Sequence, residues 1–188
     1  CDLSDADLSD ARLELAKIAR CALRSTRFDR ARLHMAELIA CDAWAASFED
    51  ADLRDVSFSG SVLDDASMVG ARLDGEAFEG LSRLPRRLAR ARLTGAQLAG
   101  VDLSGGDLSG ADLRGAVLEG ANLAQCVLRE AQLGGARLSG ALLTKAVLDG
   151  AALDRVVGHG ANLAGASLAH ARGEGADLSE ADLSGASL

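Results

Sequence analysis

The chain has 188 residues and a formal net charge of -8 at pH 7, and its 48% hydrophobic content includes only 3% aromatic residues. Because irregular globular interiors use aromatic side chains to fill space, this composition favours a regular, repeating core instead. No segment approaches the roughly 18 apolar residues of a membrane span, and no basic-then-apolar leader opens the chain. The sequence therefore predicts a cytoplasmic protein without a membrane span.

A five-residue repeat runs along the whole chain without a slip in phase. Of the 38 positions at every fifth residue from Leu3 to Leu188, 34 are Leu, Ile, Phe or Met. The exceptions are Ala43, Arg83, Gly158 and Gly173. The residue two before is small or β-branched at 35 of the 38, and the exceptions are Glu76, Leu81 and Arg86. A period of five fits neither the 3.6 of a helix nor the 2 of a flat strand.

The repeat separates residues that face inward from residues that face solvent. Residues two apart on an extended segment point the same way, so the small and the large apolar residue of each unit both face inward. The other three positions carry nearly all the charge. Of the 21 glycines, 17 stand at the second position after the large residue. Glycine suits a sharp corner there because it adopts unusual backbone angles at little steric cost. Each unit is therefore predicted to be a short strand followed by a corner.

The repeat resembles that of the pentapeptide-repeat proteins. Ala111-Asp112-Leu113, Ala121-Asn122-Leu123 and Ala181-Asp182-Leu183 match the A-(D/N)-L signature of that family. The resemblance covers residues 1–188 and implies one all-β domain, a right-handed, four-sided parallel β-helix with 20 residues per coil. About nine coils, stacked about 4.8 Å apart, would form a rod roughly 45 Å long.

Cysteine and histidine offer no metal, cofactor or catalytic signature. Cys1, Cys21, Cys41 and Cys126 take the small inward position, and the implied coil stacks the first three in one column. A disulfide between stacked coils is sterically conceivable, but buried free cysteine is the favoured interpretation. His34, His159 and His170 lie at outward positions, far apart in sequence, with no nucleophile–base–acid pattern.

Four apolar residues in the N-terminal quarter stand where the repeat predicts solvent exposure, and we interpret them as one patch. These are Leu15, Met35, Ile39 and Trp44, of which Leu15 and Met35 are 20 apart and should stack, with Ile39 close by. Exposed apolar surface often marks an interface. The alternative is a local distortion in which Trp44 turns inward to fill the space left by the undersized Ala43.

Residues 76–90 break the repeat. Glu76, Arg83 and Arg86 stand at inward positions, and the only proline, Pro85, lies here. Burying unpaired charge is costly, so part of this segment is expected to bulge out of the coil as a loop. That loop either covers a defect in the coil or contacts a partner through its basic residues, which are Arg83, Arg86, Arg87 and Arg90.

The first functional hypothesis is a non-enzymatic scaffold or protein-interaction module, one segment of a larger bacterial protein. A solenoid needs its terminal coils covered, so a flanking domain or self-association is expected to cap the ends. The resemblance also brings in secreted bacterial proteins as a context. Direct nucleic-acid binding is disfavoured because no basic stripe with stacking aromatics is present.

The second hypothesis follows from the family resemblance, because some pentapeptide-repeat proteins mimic DNA and bind type II topoisomerases such as DNA gyrase. The negative net charge has the right sign. Its magnitude is low, since duplex DNA of roughly 45 Å carries roughly 26 negative charges. Two acidic clusters could still form a local acidic surface: Asp2, Asp5, Asp7 and Asp10, then Glu49, Asp50, Asp52 and Asp55.

Overall fold

A computed structural model describes residues 1–73 and 85–188 as a solenoid of stacked coils. Two segments have the length of regular strands, β1 (Lys17–Ala19) and β2 (Glu37–Ile39). They pair in parallel with Lys17 opposite Glu37 and Ala19 opposite Ile39. Within the described ranges no residue is helical.

The remaining coil contacts are parallel β-bridges between residues 20 apart. Along one coil they join Asp102 to Asn122, Asp107 to Val127, Asp112 to Gln132 and Val117 to Arg137. Four bridges in every 20 residues make a four-sided coil. The first side consists of residues 1–5, 21–25, 41–45 and so on, and the second, third and fourth sides begin at residues 6, 11 and 16.

The corners between sides are tight turns with the hydrogen bond of a β-turn. In a representative corner the Ala111 amide donates to the Leu108 carbonyl at 3.0 Å, and Gly110 between them has φ 64°. A positive φ at the third residue is the mark of a type II turn, which explains why glycine is frequent there. The predicted strand-and-corner unit is confirmed.

The core is a column of alanine and leucine that stacks from coil to coil. Leu113, Ala116 and Leu118 are fully buried, as are most of their equivalents. Phe28 and Phe48 stack face to face with centroids 4.9 Å apart, and Phe58 meets Phe48 edge-on at 5.7 Å. Because each coil packs on its neighbours, the rod gains stability through nearest-neighbour contacts.

The 20-residue register is the same before and after the irregular segment. Ser67 pairs with Arg87 and Arg72 with Arg92, so the later coils occupy the same sides as the earlier ones. Residues 85–90 run within the coil and do not bulge: Leu88 is buried, while Arg86 turns its side chain outward. The rest of the predicted loop, residues 76–84 with Glu76 and Arg83, lies outside the described residues.

Candidate functional site

Non-glycine corners mark the first three coils as different from the rest. Every corner from Asp5 to Asp55 is a non-glycine residue with φ between 52° and 62°. An L-residue in this left-handed region costs roughly 1–2 kcal/mol. Strained backbone conformations of this kind are found most often at functional sites, where the surrounding structure holds them in place. The N-terminal coils therefore hold side chains that the fold itself does not require.

The apolar ridge, defined as Leu15 and Met35, stands out among these corners. Both are at the corner after the third side, with φ 62° and 59°, and their exposed fractions are 66% and 51%. Later coils place glycine at the same corner, namely Gly95, Gly115, Gly135 and Gly175. The chain therefore accepts both a strained backbone and apolar exposure at this corner.

Cations border the apolar ridge. Arg12 on the third side and Arg20 on the fourth are exposed, and neither has an acidic partner among residues 1–73 and 85–188. Lys17 forms an exposed ion pair with Glu37 at 3.1 Å. Acidic groups lie beside the apolar ridge as well. Glu14 precedes Leu15 and pairs with Arg32 at 2.8 Å. Asp55 follows Met35 at the same corner, 3.7 Å from His34 Nδ1. The ridge thus combines apolar contact with a charged border in which Arg12 and Arg20 are the cations without an acidic partner among the described residues.

Ile39 does not lie at the same corner as the ridge. It ends β2 on the fourth side and is 36% exposed, so it follows Met35 by one full side of the coil. The sequence placed Ile39 close to the ridge, but the length of β2 separates it from Met35.

Trp44 does not turn inward. Its exposed fraction is 45%, while Ala43 is buried and its amide donates to the Val62 carbonyl at 2.9 Å. Ala43 therefore keeps its place in the coil, and of the two alternatives left open by the sequence, the inward rotation of Trp44 is not the one observed. Trp44 lies at the corner after the first side, diagonally opposite the apolar ridge.

An open pocket of about 380 Å³ surrounds Trp44 and is lined also by Arg24, Asp42 and Val62. Val62 is 46% exposed, and the Arg24 guanidinium pairs with the Asp42 carboxylate at 2.6 Å. We call this the tryptophan pocket. It offers an aromatic face and a branched aliphatic side chain, the kind of surface that anchors a partner's apolar side chain.

Acidic residues border the tryptophan pocket. Asp64 lies one coil beyond Trp44 at the same corner, where its carbonyl accepts the Ala45 amide at 2.9 Å, and Asp65 follows it with φ 58°. Both are exposed, and neither has a cationic partner among the described residues. The unpaired charge at this corner is therefore opposite in sign to that at the apolar ridge.

A second open depression of about 440 Å³ lies on the third side, where Gly134 and Gly135 leave out side chains. Its other lining residues are Asp154, Arg155 and Glu174, and the Glu174 amide donates to the Asp154 carboxylate at 3.0 Å. It is larger than the tryptophan pocket but presents no apolar anchor. It contains none of the residues predicted from the sequence.

The described basic residues of the predicted loop do not lie beside the apolar ridge. Arg86, Arg87 and Arg90 lie on the second side, and Arg90 occupies a corner with φ 59°. Arg87 reaches the Glu49 carboxylate at 3.8 Å. Since Arg83 is outside the described residues, the structure does not join it to either surface.

The cysteine prediction is wrong for one pair. Cys1 and Cys21 form a disulfide because successive coils bring their Cα atoms to 4.7 Å, inside the range that a disulfide requires. Cys41 and Cys126 are free and buried, as predicted. Burial raises the pKa of the Cys126 thiol to about 11, and the thiol donates to the Leu103 carbonyl at 2.9 Å. The Cys126 thiol is therefore not poised to react at neutral pH.

One polar cluster escaped the sequence analysis. His159 Nδ1 lies 3.1 Å from the Ser179 hydroxyl and its Nε2 lies 3.5 Å from the Glu180 carboxylate. All three residues are exposed, and neither pocket described above borders them. The 20-residue spacing of His159 and Ser179 was the available signal. Open solvent on every side gives such a cluster no means of holding a substrate in a near-attack geometry.

Among the described residues, no group of three or more His, Cys, Asp or Glu side chains is arranged to hold a metal ion. The same part of the chain contains no helix long and apolar enough to cross a bilayer. The exposed carboxylates instead cap local turns. The pKa of Asp177, for example, is lowered by hydrogen bonds from the Ser179 hydroxyl and amide.

Comparison with known proteins gives a clear family match. The family model "Pentapeptide repeats" matches in eight copies over residues 1–42, 45–75, 91–129, 121–157 and 159–188. The repeats matched in this way confirm the predicted right-handed parallel β-helix. Among curated protein sequences, none matches the chain significantly.

Solved structures of pentapeptide-repeat proteins are similar to the chain. HetL from the cyanobacterium Nostoc sp. strain PCC 7120, involved in heterocyst differentiation regulation, is 29% identical with a TM-score of 0.49, over 100% of this chain and 86% of HetL. QnrB1, a plasmid-mediated fluoroquinolone resistance protein, is 22% identical with a TM-score of 0.35, over 96% and 87%. A protein of the Arabidopsis thaliana thylakoid lumen is 32% identical with a TM-score of 0.32, over 49% and 68%.

Proposed function

Because the chain belongs to the pentapeptide-repeat family, we propose that it is a non-enzymatic protein-binding module whose contact surface is the apolar ridge with its cationic border. The observation that carries the proposal is the pair Leu15 and Met35. They occupy a corner at which four later coils have glycine, and they expose most of their apolar surface there. A partner that covered the ridge would recover the free energy of apolar burial that folding leaves unused.

The border of the ridge defines the chemistry of the partner. Arg12 and Arg20 are exposed cations without acidic partners among the described residues. Their guanidinium groups are therefore available to carboxylates of a partner. A partner segment with apolar side chains flanked by Asp or Glu fits this surface. The charged border would speed encounter, and the apolar ridge would supply most of the affinity.

Selection of binders from a random peptide library tests this proposal without assuming a partner. We expect a random peptide library displayed on phage, selected on the chain, to yield acidic peptides with apolar anchors. The double variant Leu15→Gly and Met35→Gly should bind those peptides at least tenfold more weakly, because loss of two apolar contacts removes on the order of 1.4 kcal/mol or more. Binding is measured by titration calorimetry.

The matched control is Gln125→Gly, which removes an uncharged side chain from a left-handed corner with φ 60° in a later coil and so changes neither the apolar surface nor the charge of the ridge. It should bind the selected peptides within about twofold of the wild type. Equal binding by the wild type and the ridge variant would contradict the proposal.

A second candidate function, modulation of DNA gyrase or topoisomerase IV by DNA mimicry, is favoured by the charge of the first side. Among the described residues this side has only Arg24 and Lys145 as basic residues, and its acidic residues are Asp2, Asp5, Asp42, Asp64, Asp65, Asp102 and Asp182. The charge is local, since the whole chain carries -8 where a DNA rod of this length carries roughly 26 negative charges.

A gyrase supercoiling assay with and without a quinolone tests this candidate. If the chain is a DNA mimic, micromolar protein should inhibit supercoiling or protect against the drug. The double variant Asp64→Asn and Asp65→Asn should then be at least tenfold weaker, because association steered by charge depends on that side. Asp107→Asn on the second side is the control. No effect of the wild type on supercoiling or drug action would exclude the candidate.

The cytoplasmic location remains a prediction from the sequence. The Cys1–Cys21 disulfide favours an oxidising compartment instead, because cytosolic thiols are kept reduced. A flanking domain or a second copy over the terminal coils is proposed on the general grounds that apply to solenoids.

A further inference from the structure

We infer that the partner of the apolar ridge is the tryptophan pocket of a second copy of this chain, so that copies associate side by side in an open row. This inference rests on the proposed function, because it assigns an occupant to the same ridge. Two surfaces that the sequence treated as one patch are at opposite corners. One is a projecting apolar ridge and the other an apolar recess.

The two surfaces match in apolar shape. The ridge projects from a corner, with Leu15 and Met35 66% and 51% exposed. The pocket is an open recess of about 380 Å³, with Trp44 and Val62 on its walls at 45% and 46% exposure. An unbranched Met or a Leu side chain inserts readily beside an aromatic face, and sulfur–aromatic contact adds to the attraction. Both surfaces are left in water by a single copy.

The two surfaces also match in charge. The ridge is bordered by Arg12 and Arg20, and the pocket by Asp64 and Asp65, and none of the four has a partner of opposite charge among the described residues. Docking would pair Arg12 and Arg20 of one copy with Asp64 and Asp65 of the next. The ion pairs would lie at the rim, so they would give orientation and association rate more than affinity.

The positions of the surfaces determine the form of the assembly. The ridge is at the corner after the third side and the pocket at the corner after the first, so the two face in opposite directions across the rod. An interface between two different patches is heterologous. When the patches lie on opposite sides, each added copy leaves one ridge and one pocket free, and the row does not close.

The contact is small, which predicts reversible association. Stable complexes bury about 1,200–2,000 Å² in total, and two rods touching along corners reach the low end of that range or less. The ridge lies in the first two coils and the pocket in the third and fourth, so neighbouring copies are staggered by about two coils, or roughly 10 Å. We therefore expect micromolar association that weakens as salt rises from about 0.1 M to about 1 M.

A mixing experiment tests the inference. The ridge variant carries Leu15→Gly and Met35→Gly, and the pocket variant carries Trp44→Ser and Val62→Ser. Serine already occupies the position of Trp44 in other coils, at Ser4 and Ser104. In sedimentation velocity over a thousand-fold concentration range, the wild type should form a growing series of oligomers. Each variant alone should stay monomeric, with an association constant at least tenfold lower.

The mixture of the two variants gives the discriminating result. Each variant retains one intact surface, so a heterologous interface predicts dimers of one ridge variant with one pocket variant, and no larger species. A symmetric ridge-to-ridge interface predicts instead that the pocket variant dimerises by itself. That result, a monomeric wild type at every concentration, or a mixture that remains monomeric would overturn the inference.

Failure of the inference can be told apart from failure of the proposed function. A monomeric wild type whose selected peptides lose affinity for the ridge variant would leave the ridge as a binding surface for another protein. Assembly that is equally strong with and without Leu15 and Met35 would contradict the inference alone, and selected peptides that also bind both forms equally would contradict the proposed function as well. Gln125→Gly serves again as the control and should assemble as the wild type does.

Discussion

Replacing Phe48 by alanine is expected to lower the free energy of unfolding by about 3–5 kcal/mol. Phe48 is fully buried, stacks on Phe28 at 4.9 Å and meets Phe58 edge-on at 5.7 Å. The alanine variant leaves a cavity across two coils and removes both ring contacts, which contribute about 0.5–1.5 kcal/mol each beyond area burial. Urea unfolding followed by circular dichroism measures the change.

The control for this prediction is Phe48→Leu. Leucine is the usual residue at the large inward position, so the coil accepts its shape, and the expected cost is under about 1.5 kcal/mol. An alanine variant no less stable than the leucine variant would show that the phenylalanine cluster does not hold these coils together.

Gly106→Ala is expected to destabilise the chain by about 1–3 kcal/mol, although alanine is the usual residue at this position of the repeat. A Cβ added to Gly106 would approach the Leu103 carbonyl oxygen to 2.9 Å and the Arg86 carbonyl oxygen to 3.6 Å. These are backbone atoms that cannot move aside as a side chain can. The neighbouring coil carries Arg86, which turns outward where other coils have an inward alanine.

Gly134→Ala is the matched substitution. Its added Cβ would make ordinary contacts, 3.7 Å to the Asp154 carbonyl oxygen and 3.8 Å to Arg114 Cγ. We expect a change within about 0.5 kcal/mol, as for most surface substitutions. If Gly106→Ala proved as neutral as Gly134→Ala in the same urea titration, the coil beside Arg86 would be regular after all.

The fold could be predicted from the sequence because each physical requirement recurs 38 times. An inward position must be apolar and a corner must tolerate positive φ, and the residues at these positions repeat every five. The resemblance to the pentapeptide-repeat family implies four repeats per coil, so Cys1 and Cys21 were correctly placed one above the other. Whether their sulfurs are bonded depends on side-chain geometry, which the repeat does not encode.

The candidate site could be predicted only in part. Leu15, Met35 and Trp44 were recognised because apolar residues at outward positions contradict the pattern. Their grouping was wrong, because sequence proximity of Met35 and Trp44 conceals that they lie at opposite corners of the coil. The charge borders were missed for the same reason. The proximity of Arg12 to the ridge and of Asp64 to the pocket becomes visible only when each residue is assigned to a side of the coil.

Thermal unfolding of the variant Leu15→Gly and Met35→Gly tests the central claim most directly, namely that these side chains are held for binding and not for folding. Glycine relieves the left-handed strain at about 1–2 kcal/mol per residue and costs about 0.5–1 kcal/mol in chain entropy. For the two residues together the net gain is about 0–3 kcal/mol, so we expect a Tm equal to that of the wild type or up to about 12 °C higher. A Tm lowered by more than about 4 °C would contradict the claim, because the ridge would then be part of what stabilises the coil.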